Sequence, residues 1–134
     1  MSIRHSRLAL VALFVISLLL HMACFGYVFL IGAVYVEDLQ TLTVRTLAVY
    51  SVPLGVIIGG IFGGTADPAG PAAPGTFWTA AAFSLLWNVL LVWRTVLFAF
   101  GEQDSITSLL SYVDAVAAGG TFLIGGALAY YFAK

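Results

Sequence analysis

The chain has 134 residues, of which 62% are hydrophobic and 8% charged, with a mean hydropathy of +1.08. A soluble domain carries about 25% charged residues, so this chain cannot cover a water-facing surface and its solvent is expected to be lipid. The net charge of −1 offers no basic field for nucleic acid, and the single cysteine, Cys24, excludes an intrachain disulfide or a multi-cysteine metal site.

The length allows one domain, residues 1–134. The N-terminal run MSIRHSRLALVALFVISLLLHMAC has a basic start and an apolar stretch, in the manner of a secretion signal. Cys24 even sits where a lipoprotein would be cleaved. However, His21 stands where such a site wants an aliphatic residue, and the apolar run continues past the cysteine through Val36. The expectation is an uncleaved first membrane helix.

A membrane helix needs about 20 apolar residues to cross a core about 30 Å thick. Four segments qualify: about Leu8–Val36, Leu42–Phe62, Phe77–Phe100 and Ile106–Phe132. Each is apolar all round, which fits a bundle in lipid better than a helix on its surface. The fold class expected is all-α, an integral membrane four-helix bundle. VEDLQT and GEQDSIT read as short polar connectors, and residues 63–76, rich in Gly, Pro and Ala, as a flexible loop.

Arg4 and Arg7 precede the first helix and Lys134 follows the fourth. By the positive-inside rule both termini are then cytoplasmic, in a multi-pass protein of the plasma (inner) membrane. Glu37, Asp38, Glu102 and Asp104 fall on the outer side. The aromatics fit that frame, with Trp78, Tyr130 and Tyr131 near the inner interface and Tyr35, Trp93 and Tyr112 near the outer one.

Depth can be counted at about 1.5 Å per residue. Arg45, Arg94 and Asp114 come from three different helices and fall about two turns from their centres, all on the outer side. Glu37 and Asp38 sit just above them. A charge at membrane depth costs several kcal/mol unless it pairs or faces water. Asp114 is therefore expected to pair with Arg94 or Arg45, and Glu37 or Asp38 to take the other arginine. Such a cluster serves as a staple fixing helix register, as the mouth of an ion or solute path, or as a partner surface.

His21 and Asn88 lie near the midplane, where lipid offers no hydrogen bonds. Both should face protein, as an interhelical hydrogen bond or as a stepping point for a proton or ion. Pro53 removes a backbone donor and is expected to kink the second helix. Gly55, Gly59 and Gly63 recur at four-residue spacing, and Ser111, Ala115 and Gly119, with Gly126 beyond, form a similar set on the fourth helix. Small residues at that spacing let helices approach closely, within the chain or between copies.

No nucleophile–histidine–acid set, paired cysteine, His/Glu metal spacing or phosphate-binding glycine loop is present. Neither a catalytic activity, a metal nor another cofactor is expected. Two functions remain. The first is a homo-oligomer in the lipid bilayer that conducts ions or small solutes, or permeabilises the membrane when triggered. The second is a non-catalytic accessory or assembly subunit of a larger membrane complex.

Overall fold

A computed structural model of the chain describes residues 3–62, 74–101 and 105–132. They form four helices: α1 (Ile3–Leu30), α2 (Val36–Phe62), α3 (Pro74–Phe100) and α4 (Ile106–Phe132). All four are long and apolar enough to cross a membrane. At 27 or 28 residues each they run about 40 Å, longer than an apolar core of about 30 Å, so a crossing leaves turns to tilt or project.

Four boundaries differ from the sequence expectation: α1 begins at Ile3 rather than Leu8, and its end and the starts of α2 and α3 shift as well. The first helix ends at Leu30 rather than Val36, because Gly32 takes a positive φ of 74°. The Gly32 N–H donates to the Phe29 carbonyl at 3.0 Å and the Ala33 N–H to the Val28 carbonyl at 2.9 Å. This pairing closes a helix on a left-handed residue, and glycine has no side chain to oppose that conformation. The second helix begins at Val36 rather than Leu42. VEDLQT is thus no connector but the start of α2. Tyr35 caps it: its carbonyl accepts the Leu39 N–H at 2.9 Å, and its own N–H donates to Asp38 Oδ2 at 3.3 Å. An acid in the first turn satisfies a free backbone donor and opposes the positive end of the helix dipole.

The third helix starts at Pro74, three residues before Phe77. Proline suits that first turn because its missing N–H has no partner there anyway. Ser105 caps α4, its Oγ accepting the Ser108 N–H at 3.1 Å. Through Pro53, which is buried, α2 continues without interruption. Of the loop expected at 63–76, residues 74–76 belong to α3; residues 63–73, Gly63 among them, lie outside the described residues, as do Glu102 and Asp104.

Round the bundle the order is α1, α2, α4, α3. Each helix packs on two neighbours, and the diagonal pairs α1/α4 and α2/α3 keep their backbones apart. Rings fill the axis between them. Tyr50 stands 5.2 Å from Trp87 and 6.3 Å from Phe14, and Phe14 stands 5.9 Å from Trp87, centroid to centroid. The helices are unequally covered: 39% of the apolar window of α3 is buried within the chain, against 22% for α2 and 17% for α4. The two least covered helices are adjacent.

Candidate functional site

The centre of the bundle holds a polar network in a shell of aromatic rings. His21 on α1 brings its Nε2 to 3.1 Å from Tyr50 Oη on α2, and its Nδ1 to 2.7 Å from Thr95 Oγ1 on α3. The Tyr50 hydroxyl donates to Asn88 Oδ1 at 3.1 Å, and Asn88 Nδ2 donates to the Ser84 carbonyl at 2.7 Å. Thr95 Oγ1 donates to the Leu91 carbonyl one turn back, at 3.1 Å. His21, Tyr50, Asn88 and Thr95 are all buried. His21 and Asn88 do face protein, but they do not touch each other; Tyr50 stands between them.

Hydrogens can be counted along this line. It has four links: Leu91 to Thr95, Thr95 to His21, His21 to Tyr50, and Tyr50 to Asn88. Threonine and tyrosine bring one hydrogen each and a neutral imidazole one more. Three hydrogens therefore serve four links, and either tautomer of His21 leaves one link empty. Both ends stop on carbonyl oxygens, which accept and have no hydrogen to pass on. The line ties α1 to α2 and α3, and the buried Ser17 hydroxyl, also on α1, makes a further hydrogen bond to Tyr50 from the side.

The charged residues expected near one end of the bundle divide into two sets. Arg45 Nη1 lies 3.2 Å from Asp114 Oδ2, joining α2 to α4. Arg94, on α3, lies against the other flank of α4, donating to Ser108 Oγ at 2.9 Å with its guanidinium carbon 5.6 Å from the centre of the Tyr112 ring. Asp38 is engaged in capping α2, and Glu37 is exposed, its carbonyl accepting the Thr41 hydroxyl at 2.9 Å. At the opposite end Arg7 on α1 reaches the Gly60 carbonyl at 3.5 Å and lies over the Phe132 ring at 5.2 Å.

The small residues also divide. A Cβ on Gly55, Gly59, Gly119 or Gly126 would meet nothing within 4 Å. Ser111 and Ala115 are exposed as well. The glycines that permit close approach inside the chain are Gly60 and Gly120. A Cβ on Gly60 would lie 2.6 Å from Phe132 Cβ, and one on Gly120 2.6 Å from Trp87 Nε1.

Tyr50, Thr95 and Gly120 escaped the sequence reading. Tyr50 carried a usable signal: it stands mid-helix, away from both interfaces, where a tyrosine hydroxyl needs a partner. Thr95 carried none, since a threonine in a membrane helix can satisfy itself on the preceding turn. No three of His, Cys, Asp or Glu stand together among the described residues, and Cys24 is buried. No known protein family, curated protein or solved structure matches the chain.

Proposed function

We propose that the protein is a multi-pass subunit of the plasma (inner) membrane that assembles with copies of itself and passes ions or small solutes between the copies. The observation that carries this reading is the contrast between a filled interior and a bare flank. Phe14, Tyr50 and Trp87 fill the axis with packed rings, which leaves a single bundle no open path along its centre. The flank formed by α2 and α4 has little cover from its own chain and presents an ion pair sideways. Exposed glycines on these helices leave room for another helix to come close. The cytoplasmic placing of both termini rests on Arg4, Arg7 and Lys134.

The test is the mass of the particle lifted from its native membrane with its lipid, followed by ion flux in liposomes. Two or more copies alone, with flux above that of empty liposomes, is the expected outcome. One copy bound to larger, unrelated proteins would overturn it and leave the accessory-subunit reading.

A further inference from the structure

Arg45 and Asp114 share one contact at 3.2 Å, while their side chains remain 57% and 48% exposed. A guanidinium has five N–H donors and a carboxylate about four acceptor positions. With one contact made and about half of each side chain exposed, donors and acceptors remain on both groups. Arg45 is the tenth residue of α2 and Asp114 the ninth of α4, so each lies about 12 to 14 Å along a helix of about 40 Å. In a helix that crosses a bilayer, that is below the headgroups and inside the apolar layer. Donors and acceptors left to hydrocarbon there are costly, and something outside the chain must meet them.

The patch is self-complementary. It carries one positive and one negative group side by side, and a two-fold axis through it would set each Arg45 against the Asp114 of another copy. An interface about such an axis needs both partners of every contact on one surface, and this surface has them. Along α2 the same stripe runs Arg45, Ala48, Gly59, and along α4 Asp114, Ala118, Gly125, following helical spacing. Gly59 and Gly125 have open space where a Cβ would be, so a second bundle can approach closely beside the charges.

We infer that the α2/α4 flank is where two copies of this chain meet, around a ring of two Arg45 and two Asp114 side chains. The inference rests on the self-assembly reading above and names its joint. The ring gives each guanidinium and each carboxylate a second partner, and sets charged groups beside the seam between copies.

Reversing one charge at a time tests it. Arg45→Asp leaves acids at both positions, and Asp114→Arg leaves arginines at both. Each variant should repel itself, whereas a mixed pair regains both attractive contacts between the copies, although each chain loses its own Arg45–Asp114 pair. Two tagged variants expressed together should therefore capture each other at least about tenfold better than either captures itself, which is about 1.4 kcal/mol. Arg45→Asp combined with Asp114→Arg in one chain restores the pair and should self-associate as wild type does. Where the reversed variants fail to insert, Arg45→Gln and Asp114→Asn serve, with self-capture expected to fall about tenfold. Dimers of unchanged mass in the single variants would overturn the joint and leave self-assembly standing. A wild-type particle holding one copy, with lipid phosphate on the pair, would overturn both.

Discussion

The count of three hydrogens for four links around His21 makes a quantitative prediction about two substitutions taken singly and together. Tyr50→Phe keeps the ring that packs on Phe14 and Trp87 and removes only the hydroxyl. It deletes two links, but the neutral imidazole then places its hydrogen on Nδ1 and both links on the Thr95 side are filled. The net loss is one filled link of the line, and the Ser17 hydrogen bond to Tyr50 goes with the hydroxyl. Thr95→Val does the reverse: the hydrogen moves to Nε2, both links on the Tyr50 side are filled, and again one is lost. With both changes no filled link remains, a loss of three against the sum of two. Hydrogen bonds between membrane helices average about 0.6 kcal/mol and reach about 1.7. Thr95→Val should thus cost about 0.6 to 1.7 kcal/mol, Tyr50→Phe up to one hydrogen bond more because of Ser17, and the double change about one link more than their sum. The assay is reversible unfolding in mixed micelles, followed by tryptophan fluorescence. An imidazolium would instead fill all four links and make the two losses additive. Additivity to within about 0.3 kcal/mol would therefore refute the neutral, three-hydrogen description.

Other outcomes follow from the packing. Gly120→Ala should destabilise the fold by about 1 to 3 kcal/mol in the same assay, because its Cβ has Trp87 in the way. Gly119→Ala, one residue earlier and facing open space, should change the monomer's stability by less than about 0.5 kcal/mol. Gly32→Ala should cost about 1 kcal/mol, since its φ of 74° opposes any side chain; hydrogen exchange should then rise first at residues 29–33. Cys24, 9% exposed, should resist a water-soluble thiol reagent in the folded protein and react once the bundle is unfolded.

The number and type of the helices were legible because hydropathy in long runs dominates every other signal. Their ends were less so. Gly32 sits in a stretch that stays apolar on both sides, so hydropathy alone carries the first helix past it, although a left-handed stop is what a glycine there can provide. VEDLQT reads as connector because its acids need water, yet acids at the start of a helix have water and the dipole together. Depth counting put Asp114 level with two arginines, and Arg45 is the one at 3.2 Å. That count could not tell the flanks of α4 apart, because facing is unreadable in helices that are apolar all round. The same blindness applies to the glycines. Gly59 and Gly60 are equivalent in composition, and only the packing separates the one that faces out from the one that admits Phe132.

The central polar line draws on α1, α2 and α3 alone. Ribosomal synthesis delivers helices from the N-terminus onward, so every residue of that line exists before α4 has been made. Three staves can already be pegged together when the fourth arrives. α4 then closes the barrel late, against Trp87 through Gly120 and against Arg45 through Asp114. Until it does, Arg45 has no acid from α4 beside it. The last stave to be set is also the least enclosed by its own chain, which makes the finished bundle a tripod with one leg added afterwards.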